Sequence, residues 1–246
     1  MKQISNQVIS VNDTKKYLEL NFHSRPWDLS PRALLSLKEA GDMKFIDQWE
    51  NREKFFSSQG IDPMQVKALN QVHSKTVFVV NSGTQTEQYY GDGLVSNDNT
   101  VVLSVTVADC LPGFLWDMHT GALGIVHSGW KGTGIIADAV RQMKREYGSQ
   151  ARHIKAIIGP CIRETCYEVD KQRAESFANE FGKDSVCKTE GKYYLNLLHA
   201  NRSLLEKQKV EDIVIIENCT HCSPQMGSFR RESNGYSRMT ALLGYF

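Results

Sequence analysis

Apolar and polar positions along the chain follow two periods. In "IIADAVRQMKREY", Ile135, Ile136, Ala139, Val140, Met143 and Tyr147 share one stripe at helical spacing, which predicts a helix with one buried face. Thr133 stands near its start, and Gly148 falls where a left-handed C-cap belongs. The same period predicts helices over "FIDQWENREKFFSSQG", ended by Gly60, over "DKQRAESFANEFG", stopped by Gly182, and over "NLLHANRSLLEKQK". Shorter runs rich in β-branched residues predict strands in "DNTVVLSVTVADC", "PGFLWD", "GALGIVH", "HIKAIIG" and "DIVIIEN", with strand material on both sides of His73 in "QVKALNQVHSKTVFVVNSG".

Helices and strands are interleaved, but the closely spaced strands between 92 and 127 suit meander-like antiparallel pairing, so the expected class is α+β with mixed sheets. No repeat, low-complexity block or long Pro/Ser/Gly linker divides the 246 residues, and a single domain over 1–246 follows. Apolar content of 41% and charged content of 23% are those of a globular protein. Lys and Arg number 29 against 28 acidic residues, spread along the chain, which argues against a nucleic-acid partner. "MKQISNQVIS" lacks the apolar core of a signal peptide, and Asp109, Pro112 and Asp117 break the longest apolar runs, so a cytoplasmic protein without membrane contact is expected, a monomer or weak homo-oligomer. Six cysteines in such a chain read as free thiols or metal ligands sooner than as disulfides.

Two polar residues sit where buried strands run out. Cys110 follows "VVLSVTVAD", and His127, seventeen positions later, follows "GALGIV", so adjacent strands could present both at one sheet edge. With His73 they would supply three zinc ligands and leave a fourth position open, the pattern of a catalytic site. The same Cys110 and His127 suit a cysteine nucleophile with its imidazole base. From the residues alone both readings stand beside a plain one, hydrogen-bonded core histidines. Cys161, Cys166, Cys219 and Cys222 offer a four-cysteine zinc alternative, but only "CTHC" has knuckle spacing, and buried thiols are the simpler reading. "HSGWKGTG" gathers Gly129, Gly132 and Gly134 around Lys131 ahead of a helix, either a tight strand-to-helix turn or an anion contact. "FRRESNGYSR" reads as a solvated basic loop, and Trp116 and Trp130 as core or pocket wall.

The ordered set "NQVHS", "ADCLPGFLWD", "HSGWKG", "GPCI" with "CYEV", and "CT" before "FRRE" and "RM" resembles the laccase-domain, YfiH-like family. Its bacterial members, once called multicopper polyphenol oxidases, are now regarded as purine nucleoside phosphorylases. The resemblance runs from about residue 50 to the C-terminus, leaving 1–50 divergent. It implies a layered α/β/β/α sandwich of mixed sheets, and zinc held by His73, Cys110 and His127 as the catalytic centre. It also implies phosphorolysis of adenosine, inosine and methylthioadenosine, with some adenosine deamination, for which an open zinc site activates water. "FHSRPWDLS" keeps Arg25 but not the glycines usual there, Lys131 stands where arginine is common, and "GDGLVS" replaces a typical alanine-aspartate.

Phosphorolysis needs cations to hold phosphate, and Arg25, Arg52 and Lys131 are the candidates for substrate binding. Asp109, beside Cys110, is expected to orient a ligand as a hydrogen-bond acceptor. Two alternatives follow from the same residues. One is an amide hydrolase or deamidase using Cys110 and His127 without His73. The other is a copper-dependent polyphenol oxidase, against which the scattered histidines and the absence of His-x-His pairs both speak.

Overall fold

A computed structural model describes residues 3–9, 16–22, 29–44 and 49–246. The elements run β1 (Gln3–Gln7), β2 (Tyr17–Leu20), β3 (Arg32–Ser36), α1 (Trp49–Ser58), β4 (Val66–Lys67), β5 (Val77–Val79), β6 (Gly93–Ser96), β7 (Val102–Val107), β8 (Leu111–Asp117), β9 (Leu123–Ser128) and α2 (Ile135–Tyr147). They continue through β10 (Ile154–Ile158), β11 (Glu168–Val169), α3 (Lys171–Phe181), β12 (Val186–Thr189), β13 (Lys192–Leu195), α4 (Leu197–Lys207), β14 (Asp212–Ile216), α5 (Phe229–Glu232) and β15 (Met239–Gly244).

Two mixed sheets form the body. The larger has seven strands in the order β1-β14-β10-β8-β9-β6-β5, and the smaller has five in the order β2-β3-β15-β7-β4. A third sheet, β11-β13-β12, lies beside α3. The described N-terminal strands are woven into both layers, since β1 pairs in parallel with β14 while β2 pairs antiparallel with β3.

Alternation of side chains explains the layering. Every residue of β8 and β9 is buried, because each strand is covered on both faces. Leu111 and Leu115 of β8 pack toward α2 and α4 with Ile136, Val140 and Leu198, whereas Phe114 and Trp116 pack toward the second sheet against Leu103, Val105 and Met239. A third core lies beyond the smaller sheet, where Phe55 and Phe56 of α1 meet Leu34, Val102 and Leu242. The order is therefore helix, sheet, sheet, helix in one domain. Each fully buried Leu, Ile or Phe contributes about 1.5–3 kcal/mol by leaving water.

Helix α2 buries its predicted stripe except for Tyr147, which is half-buried, and Gly148 caps it in the left-handed region at φ 65°. Its N-cap is Gly134 rather than Thr133, whose hydroxyl donates instead to the Gly129 carbonyl at 2.8 Å. Asp170 and Asn196 cap α3 and α4 by accepting from the amides of Arg173 and His199. At Gly113 an added Cβ would lie 2.9 Å from side-chain atoms of both Ile136 and Val126, so a bare backbone is what lets α2 approach β8.

The expected meander is corrected in one respect. β9 does pair antiparallel with both β6 and β8, but β7 leaves this sheet and pairs with β15 and β4 in the other. The region before His73 also holds only the two-residue β4, and the chain then loops to β5. The chain thus steps from the smaller sheet to the larger twice, between β4 and β5 and between β7 and β8. Among the described residues no helix is long and apolar enough to cross a membrane.

Candidate metal centre and its cavity

The two crossings carry His73 and Cys110, and β9 brings His127 to the same corner. His127 continues the row Leu123, Ile125, but it lies past the apolar interlayer those two fill. One ligand atom from each of His73, Cys110 and His127 lies within 4.8 Å of the others, and the two imidazole centroids are 4.8 Å apart. His73 is exposed, Cys110 half-buried and His127 buried, so the group is rooted in the core and open on one side.

Asp92, which the sequence reading passed over, is the organiser. Its Oδ1 lies 2.8 Å from His127 Nδ1 and accepts from the His73 amide at 3.0 Å. Its Oδ2 accepts from the Val72 and Ser74 amides and from the Ser74 hydroxyl. A carboxylate can only accept, so the His127 proton sits on Nδ1 and the other ring nitrogen is left for the site. Burial pushes the Asp92 carboxyl up, but His127 and the Ser74 donors outweigh it and hold it below the usual carboxylate range. His73 itself has φ 58°, a left-handed backbone that this clasp of amides maintains. Gln71 braces the same loop against β7, accepting from the Thr106 amide at 2.7 Å and donating to its carbonyl at 2.9 Å.

The expectation that Asp109 orients a ligand is corrected. Asp109, at φ 79°, accepts from the Thr220 hydroxyl and the Arg230 amide, both at 2.6 Å, and so ties the second crossing to the C-terminal loops. The glycines of "HSGWKG" serve close approach: a Cβ on Gly129 would lie 2.7 Å from Cys110 Sγ, and one on Gly132 would lie 2.9 Å from the Ser74 carbonyl.

The donor set fits a borderline-soft cation. Two imidazoles and a thiol converge with room for a fourth ligand, and one imidazole is oriented by a carboxylate. Burial would push the Cys110 thiol up, yet the adjacent His127 and His73 bring it down to about 6. Burial likewise disfavours a charged His127, but the Cys110 sulfur and Asp92 raise it to about 10. Because the thiolate is the nucleophile, metal-stripped protein should be alkylated by iodoacetamide at Cys110 with a rate that rises through about pH 6, well below the range of an ordinary thiol. Loading zinc should suppress that reaction, as peptide mass mapping across pH will register.

Beside this group opens a cavity of about 620 Å³, large enough for a nucleoside. Its wall includes the aromatic rings of Tyr90, Trp130, Tyr167, Phe229 and Tyr236 and the cations Lys44, Arg173, Arg230 and Arg238. Arg230 lies 5.4 Å from the Tyr167 ring centroid and donates to the Glu168 carbonyl, and Arg173 lies 4.4 Å from the Trp130 centroid. Arg238 is held by Asp42 and the Tyr236 hydroxyl.

The cation assignments made from sequence are therefore revised. Arg52 is 1% exposed between α1 and the smaller sheet, where its guanidinium donates to the Met43 carbonyl and Ser104 hydroxyl and burial lowers its pKa to about 10. An amphipathic helix places it inward, away from the described cavity wall. Lys131 is exposed, its ammonium 5.6 Å from the Trp130 ring centroid, and it is not part of that wall either. Arg25 lies outside the described residues. "FRRESNGYSR" is not a loose loop: Arg230 faces the cavity, while Arg231 donates to the carbonyls of Thr220, His221 and Ser223 and locks the preceding turn. Trp116 is core and Trp130 is cavity wall, as expected.

Fold and site together define a layered mixed-sheet α/β protein with a two-histidine, one-cysteine centre at a sheet-to-sheet corner. The chain belongs to the multi-copper polyphenol oxidoreductase laccase family, whose family model matches residues 39–245. A purine nucleoside phosphorylase of Deinococcus radiodurans is 33% identical over 196 residues, covering 79% of this chain and 76% of that protein. The purine nucleoside phosphorylase YlmD of Bacillus subtilis is 30% identical over 253 residues, covering 95% and 90%. The crystal structure of YlmD from Geobacillus stearothermophilus superposes with a TM-score of 0.86 at 25% identity, covering 97% of this chain and 99% of that one.

Proposed function

We propose that the protein is a zinc-dependent purine nucleoside phosphorylase acting on adenosine, inosine or methylthioadenosine, with adenosine deamination as a secondary activity. The observation that carries this reading is the cavity, which joins the His73–Cys110–His127 group to aromatic and arginine side chains in one space. The names of the relatives point the same way.

His73, Cys110 and His127 would hold the ion. When bound, zinc supplies Lewis acidity at an open coordination position. Asp92 keeps the His127 proton on Nδ1 and fixes the angle of the ring. The aromatic wall offers faces for a purine, and its exposed rings Phe229 and Tyr90 give the base a way in. Arg230 and Arg173 offer charge-assisted hydrogen bonds to phosphate as it attacks C1′ of the ribose, with the purine leaving. Among the described residues, this is the one histidine-bearing group of three ligand atoms, which supports one mononuclear site sooner than the several centres of a copper oxidase.

Incubation of purified protein with adenosine or inosine, with and without phosphate, tests the reading. Phosphate-dependent release of free base and ribose 1-phosphate is expected, and ammonia release alone would replace phosphorolysis by deamination. Removal of the Arg230 guanidinium by Arg230→Ala should raise the KM for phosphate by about 10- to 100-fold, as loss of a hydrogen bond to a charged group costs about 1.5–3 kcal/mol. The KM for nucleoside should change less in the same initial-rate measurements.

A further inference from the structure

A second ligand-type cluster lies on the loops behind the cavity wall. Cys166, Cys219 and Cys222 bring their sulfurs within 4.8 Å of one another, with Cys166 and Cys222 at 3.4 Å. We propose that these three thiols form a separate site for a thiophilic d10 cation, zinc(II), that clips the loop after β10 to the loop after β14.

The spacing suits a shared cation. Zn–S bonds of about 2.3 Å in tetrahedral geometry hold sulfurs about 3.8 Å apart; here one pair is at 3.4 Å and all three lie within 4.8 Å of one another. Two of the sulfurs come from a C-x-x-C turn closed by the Ser223 amide donating to the Cys219 carbonyl at 3.0 Å, the kind of knuckle that presents both thiols on one side. The third comes from a turn in which the Cys166 and Tyr167 amides both donate to the Arg163 carbonyl at 2.9 Å. The Arg163 amide donates to Cys219 Sγ at 3.4 Å, a hydrogen bond that orients this sulfur. In the same turn the buried Nδ1 of His221 has no hydrogen-bond partner, a further nitrogen at hand in this loop. Cys222 is exposed and Cys166 and Cys219 are half-buried, so a cation has access from solvent. Cys161, the fourth cysteine of the sequence pattern, is fully buried in the helix-side core and is not in the group.

The clip would act on the cavity from outside. Cys161 and Cys219 already form an isolated bridge between the two loops, and the Thr220 amide donates to the Cys161 carbonyl at 3.2 Å. Tyr167 and Thr220 are sequence neighbours of two of the cysteines, the first in the cavity wall and the second bonded to Asp109. A cation on the three sulfurs would fix that wall without touching substrate.

The test uses full-length protein, stripped of metal, reloaded with zinc under reducing conditions and desalted before elemental analysis. Wild type is expected to hold about one zinc more per chain than Cys166→Ser/Cys222→Ser, whatever the His73–Cys110–His127 group holds. In a Cys110→Ala background, cobalt(II) should give an intense thiolate-to-metal charge-transfer band that disappears when Cys166→Ser/Cys222→Ser is added. The single variant Cys222→Ser, at an exposed position, supplies a folded control by near-UV circular dichroism and should also lose the extra equivalent. Equal metal content in wild type and both variants overturns the proposal. So does a Cys166–Cys222 disulfide, read as the loss of two hydrogens by mass, that persists with reductant and excess zinc.

Discussion

Cys110→Ala is expected to abolish zinc retention at the corner site and to lower kcat/KM for phosphorolysis by about 10³-fold or more, since an ion's Lewis acidity contributes several kcal/mol and each 1.36 kcal/mol is tenfold. His73→Ala should match it within about an order of magnitude, because both side chains belong to one group of ligand atoms. That equality separates two chemistries that share Cys110 and His127. A cysteine hydrolase would lose everything with Cys110 and keep most of its rate without His73, since the low thiol pKa is drawn first from His127 and only then from His73. Zinc content and base release measured on the same two preparations decide between them.

Asp92→Asn should weaken zinc binding by about 10- to 100-fold, the usual consequence of losing a carboxylate behind a ligating histidine. The amide keeps the volume but cannot serve every donor that converges on Asp92, four of them from one loop and one of them the His127 ring. Because burial is opposed by those donors and the carboxyl still sits below its ordinary range, the ionised form contributes stability above the ordinary carboxylate pKa. That contribution is lost as pH falls through the folded value. The variant should therefore be destabilised at neutral pH and should show a shallower loss of stability on acidification, as thermal melts across pH will record.

Local pattern was enough for much of this fold. The stripe of α2 with its cap Gly148, the helices α3 and α4, and the strands β8, β9, β10 and β14 each depend on residues within a few positions of one another. The pairing of β7 with β15 was hidden, because nothing near Val102–Val107 says which of two layers receives it. His73, Cys110 and His127 stood out through motif and strand-end position. The supporting groups did not. Asp92 reads as a turn residue ahead of a strand, and only the fold brings it to His127. Arg52 and Arg230 show why charge is a poor guide to placement: the first lies in an apolar helix core, its guanidinium donating to the Met43 carbonyl and the Ser104 hydroxyl, and the second sits in a polar run yet faces the cavity.

The two steps of the chain from the smaller sheet to the larger carry one ligand each, and His127 comes from the larger sheet itself. An ion at that corner would therefore act as a rivet between the layers, so occupancy and inter-sheet spacing become a single variable. Stripping it should be felt first as breathing of this rim, with faster amide exchange at Val72, His73 and Ser74, while the far ends of the same strands stay protected.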